Sequence, residues 1–135
     1  MGWQDEDPGL PIKLGPVSNG EYDPHPLPPV LLETSRRARE ECERNARRLG
    51  MSRRRFMLSL AGAATTLSVL NACTGEEARR NEGRPPGGGY EIAPEATLDE
   101  DEAMEEIGGD EFVFDVQGHL LEYDLNPAVN DPHRF

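Results

Sequence analysis

The sequence predicts a mostly disordered chain that carries isolated α-helices near residues 33–49, 53–72 and, more weakly, 97–107, with one short strand near 111–117. Three observations lead there. Apolar residues fill 36% of the 135 positions and aromatic ones 6%, a density at which buried area does not offset the entropy of ordering the chain. Twelve prolines and fourteen glycines interrupt both ends of the sequence. The only long charge-free stretch, residues 56–72, has no comparable apolar segment to pack against, so no common core is expected.

Charge divides the chain into three. Residues 1–32 hold five acids and one base, 33–55 hold nine arginines and four glutamates, and 74–135 hold seventeen acids and four bases, for a net charge of −12. Nucleic acid is excluded as a partner, because a binding footprint needs a persistent basic surface and the long tail is acidic. Cys42 and Cys73 are the only cysteines; one lies in a charged helical stretch and one at the end of the uncharged run, which does not suggest a disulfide.

The lead, residues 1–32, contains seven of the prolines and should be extended and disordered, with polyproline character at 24–29. His25, between two prolines, reads as a solvated loop residue. Residues 33–50 form the charged helix. Glu33 and Arg37, Arg36 and Glu40, Arg37 and Glu41, Arg39 and Glu43, Glu40 and Arg44, and Glu43 and Arg47 all stand four apart, the spacing at which opposite charges support a helix. Ala38, Cys42, Ala46 and Leu49 make a thin apolar stripe and Gly50 a C-terminal stop. So narrow a stripe suits a solvated helix, one that could rest on anionic lipid. Met51 offers a second start for a shorter product.

Residues 51–73, ending SRRRFMLSLAGAATTLSVLNAC, have the layout of an export signal: three arginines, a run of seventeen uncharged residues, and a small residue before a cysteine. Ser52 to Phe56 resemble the twin-arginine signal S-R-R-x-F-L-K, with Arg53 and Arg54 as the pair, Arg55 in the variable slot and Phe56 fixing the register; Met57 and Leu58 depart from it. The resemblance implies recognition by the twin-arginine export machinery, which a guanidinium serves better than an ammonium because it holds a carboxylate through two parallel hydrogen bonds. Leu70, Asn71, Ala72 and Cys73 resemble a bacterial lipobox, which implies acylation of the Cys73 thiol and anchoring on the outer face of the cytoplasmic membrane.

Residues 74–96, with Pro85, Pro86 and three glycines, read as a flexible linker. Residues 97–135 follow as an acidic helix and a first strand. Thr97 with Glu100 makes a capping box for a helix to Ile107, whose one weak apolar side is Leu98, Met104 and Ile107. Phe112, Val113, Phe114 and Val116 form a short apolar run of strand formers, of the kind buried on both faces of a parallel sheet, and polar Asp115, Gln117 and His119 alternate towards its end.

FVFDVQGHLLE resembles the first strand of the metal-dependent amidohydrolase family, (β/α)8 enzymes in which that strand commonly ends D-x-H-x-H. Asp115 and His119 match, whereas Gln117 stands where the first ligand histidine would be. The resemblance implies that His119 is a ligand to a divalent, zinc-like metal that activates water or polarises a carbonyl. A barrel needs about 250 residues, so the chain reads as the amino-terminal part of an exported, membrane-associated hydrolase whose remaining barrel lies elsewhere in the same protein. With the other ligands and the base absent, no catalytic residue is assigned and this stretch alone would bind no cofactor. The other reading is a small non-enzymatic lipoprotein with a disordered acidic tail.

Overall fold

Helix α1 spans Pro29–Arg48, four residues ahead of the expected start, because Pro29 supplies a pre-set φ at the first helical position and Pro28 is extended before it. The structure is a computed structural model and describes residues 9–15, 21, 23–84 and 90–109. Charge pairs line α1: Arg37 donates to Glu33 at 2.6 Å and Arg36 to Glu40 at 2.6 Å, as the spacing indicated, while Arg44 pairs with Glu41. Its end is a two-bond stop. Gly50, at φ +63°, gives its N–H to Arg47 O, and Met51 N–H closes on Ala46 O at 2.8 Å, a geometry that favours glycine at the turning position.

The segment expected as one helix over 53–72 is two. Helix α2, Arg53–Met57, is capped by Ser52 Oγ, which accepts from Arg55 N–H. Ser59 is extended and ends it; its hydroxyl donates to Phe56 O and accepts from Gly62 N–H, so the same side chain closes α2 and opens α3. Helix α3 runs Leu60–Arg80. It passes straight through Cys73 and over residues 74–80, where the flexible linker was expected to begin, and stops only where Glu82 and Gly83 take positive φ.

A 3₁₀ turn, Pro94–Thr97, leads into α4, Glu100–Ile107. The capping box expected from Thr97 is not the cap used. Asp99 caps α4, accepting from Asp101 and Glu102 N–H, while Thr97 donates its hydroxyl to Pro94 O and Glu100 turns to another helix.

Helices α1 and α3 run antiparallel, since Arg37 meets Glu76 while Cys42 and Asn45, further along α1, meet Gly62 and Thr65. The thin stripe of Ala38, Cys42 and Ala46 is buried in this seam, so α1 is a core element and not a solvated helix; Leu49, its fourth member, is exposed. Cys42, Ala46, Phe56, Met57, Ala61, Ala64, Ala96 and Ala103 form one core, with Leu10 of the lead, Met51, Leu60, Ile92 and Ile107 packed on its margin. The expected fold class, mostly disordered with isolated helices sharing no core, is therefore corrected to a packed helical unit. There is no strand among the described residues, and the run at 111–117 lies outside them.

The reason is the size of the core residues. Five of the eight are alanines, which add little to apolar density yet lose no side-chain entropy on burial and let helix backbones approach closely.

Candidate functional site

The arginines of the export-signal pattern stand on the short helix α2, just after the turn that reverses the chain at Gly50. Arg53 and Arg55 are exposed and Arg54 is half-buried, whereas Phe56, the residue that sets their register, is 0% exposed and Met57 is buried beside it. The structure thus presents the guanidinium end of the pattern and hides its aromatic end. Leu58, 67% exposed, follows at the corner between α2 and α3. A cleft of about 310 Å³ opens here, lined by Leu49, Met51, Arg55, Phe56, Ser59 and Glu100.

Glu100, expected to serve its own helix in a capping box with Thr97, serves α3 instead. Its carboxylate accepts the N–H of Leu60 and of Ala61, both at 2.9 Å, and Ser59 Oγ takes that of Gly62. Three of the four orphan donors at the start of α3 are satisfied this way, one of them locally and two by a residue about forty positions downstream. A negative charge there also suits the positive end of the α3 dipole.

A second tie lies one turn further along. Asn45 Nδ2 donates to Thr65 Oγ1 and to Thr97 O, both at 3.2 Å, and the Thr65 hydroxyl is shared between Ala61 O at 2.8 Å and Thr97 O at 3.3 Å. Asn45 and Thr65 are fully buried, so α1, α3 and the 3₁₀ turn are joined through two interior side chains and one carbonyl. Asn45 Oδ1 has no hydrogen-bond partner among the described residues.

Cys73 lies in the second half of α3 and is 4% exposed. It borders a cavity of about 240 Å³ between the start of α1 and the end of α3, with Val30, Glu33, Arg37 and Glu76 among its walls. Arg37 spans this gap, holding Glu33 at 2.6 Å and Glu76 at 3.0 Å. Hydrogen bonds from Arg36 and then Arg37 hold the Glu33 carboxyl down at about 2, and Arg37 lowers that of Glu76. Because residues 70–73 are inside a regular helix, the peptide bond before Cys73 is in no conformation for a protease, and acylation or cleavage there requires α3 to open locally. Cys42 is free as well, and burial pushes its thiol up to about 11, so it stays protonated and inert at neutral pH.

Among the described residues no group of three or more His, Cys, Asp or Glu side chains could hold a metal ion, and no helix is long and apolar enough to cross a membrane. Asp115, Gln117 and His119 lie outside the described residues. The structure therefore brings Arg53, Arg54 and Phe56 together on α2 and sets Cys73 far along α3. It adds Glu100, Asn45, Thr65 and the Thr97 carbonyl, whose roles here no local pattern marks because each acts on a partner at least twenty residues away. No protein-family model, curated protein or solved structure matches this chain.

Proposed function

We propose that this chain carries the export signal of a membrane-associated, metal-dependent hydrolase of the amidohydrolase type, which the twin-arginine machinery moves across the bacterial cytoplasmic membrane and Cys73 anchors to lipid on the outer face. The observation that carries the export reading is the arginine pair, Arg53 exposed and Arg54 half-buried, one residue ahead of seventeen residues without a charge. A planar fork of N–H donors suits a carboxylate-bearing receptor, and the uncharged run suits transfer into a less polar phase. The hydrolase half is supported by the sequence alone, through Asp115 and His119 in FVFDVQGHLLE; His119 would give one nitrogen ligand to a divalent, zinc-like ion that activates water.

Export is tested by fusing the chain to a folded reporter and replacing Arg53 and Arg54 by lysine. Loss of the reporter from the outer compartment is expected, and undiminished export of the lysine pair would overturn the reading. Elemental analysis of the native exported product tests the other half: a bound divalent ion supports it and a metal-free product contradicts it.

A further inference from the structure

We infer that residues 90–107 are a built-in cover that holds the export signal closed until recognition displaces it; this rests on the export reading of Arg53 and Arg54. A receptor that reads Phe56 has to reach its ring, and in this structure the ring is fully buried in the same cluster as Ala96 of the 3₁₀ turn and Ala103 of α4. The cover is fastened at both ends and the middle of the region it closes. Glu100 holds the two amides that begin α3, Thr97 O takes hydrogen bonds from Asn45 and Thr65, and Tyr90 N–H donates to Asn71 Oδ1 near the cysteine. Glu106 folds the segment on itself by accepting Ala93 N–H at 2.8 Å.

These ties suit a device that opens. The apolar part of the cover consists of two alanine methyls with the flanking Ile92 and Ile107, and Glu100 and Tyr90 make their bonds at the surface, where water replaces them readily. The seam beneath is different, continuous along α1 and α3. Displacing residues 90–107 takes Glu100 from the amides that open α3, and Ala96 and Ala103 from the cluster that holds Phe56, while α1 and α3 stay paired. A closed signal also keeps its uncharged face from premature association with membranes or other chains.

The reporter fusion and the purified chain test this together. Glu100→Ala should make the Leu60 and Ala61 amides exchange about fivefold faster, the effect of losing one cap, and should raise the initial export rate. Ala103→Asp, which puts a carboxylate at a fully buried position, should raise that rate further. Glu100→Gln keeps an acceptor oxygen and should stay closer to the parent in both measurements. Cover variants with faster exchange and an unchanged or lower export rate would overturn the cover while leaving the export reading intact, provided that the lysine pair still abolishes export. Export by the lysine pair in any of these backgrounds would overturn both.

Discussion

The α1–α3 seam and the 90–107 segment hold the same uncharged run by different means. In the seam, small side chains repeat along two helices of twenty and twenty-one residues, and buried positions recur at Ala38, Cys42, Asn45 and Ala46 on one side and at Ala61, Ala64, Thr65 and Thr66 on the other. The 90–107 segment offers one short helix, one 3₁₀ turn and two buried alanines, and relies on single hydrogen bonds to α1 and α3. The difference teaches where a helical unit with few large apolar residues finds stability: close backbone approach over length does most of it, and discrete polar ties decide which further segment joins.

Phe56 lies where the two regions meet, so Phe56→Ala should have the largest effect, about 3–5 kcal/mol, enough to unfold both regions together. Urea titration followed by helical circular dichroism checks this, and a loss below about 1 kcal/mol would break the comparison as stated. Gly62→Ala acts where α3 lies against the end of α2. A Cβ there would stand 2.3 Å from Phe56 O, a backbone atom that cannot rotate away, and about 1–3 kcal/mol should be lost in the same titration.

Asn45→Ala should cost about 1–2 kcal/mol by removing a side chain that bonds to both regions. Amide exchange sharpens the comparison here, because residues 96–107 should lose more protection than residues 38–46. Equal losses would mean that the segment is not a separable layer.

The smallest effect concerns pH. Glu33 and Glu76 have carboxyls lowered by Arg36 and Arg37, so their stabilisation is fully present above the ordinary value of 4.5 and fades as pH falls, towards about 2 for Glu33. Both are more than a third exposed and screened by solvent, which keeps the contribution slight. Cys42 has the opposite sign. Its raised thiol favours the folded chain below its ordinary 9.0 and loses that preference as pH climbs towards about 11. Stability should accordingly stay flat between these limits, and alkylation of Cys42 at pH 8 should be slow in the folded chain and fast in urea.

Much of α1 was legible in the sequence. Charge spacing placed it, Gly50 ended it, and the stripe of Ala38, Cys42 and Ala46 is the face it buries. Helical structure in the uncharged run and near 100–107 was legible for similar local reasons. The break at Ser59 was not, since a serine inside an uncharged run carries no sign that its hydroxyl will cap the next helix. Packing was also hidden, because alanines read as weakly apolar and an apparently unpartnered run suggested that nothing would cover it. Within the candidate site the arginine pair is plain from sequence, while the burial of Phe56 and Cys73 and the reach of Glu100 depend on contacts between distant positions.

The most direct test of a packed helical unit is amide hydrogen exchange across residues 61–66 of the whole chain in aqueous buffer without detergent. These amides belong to the part of α3 enclosed by α1 and the 3₁₀ turn, and those of residues 63–66, which bond to neither Glu100 nor the Ser59 hydroxyl, should exchange only through opening of the common core. Protection of residues 63–66 that disappears together with that of residues 38–46 in rising urea is the expected result. Exchange at unstructured-chain rates, with protection gained only when detergent is added, would show an isolated apolar helix and contradict it.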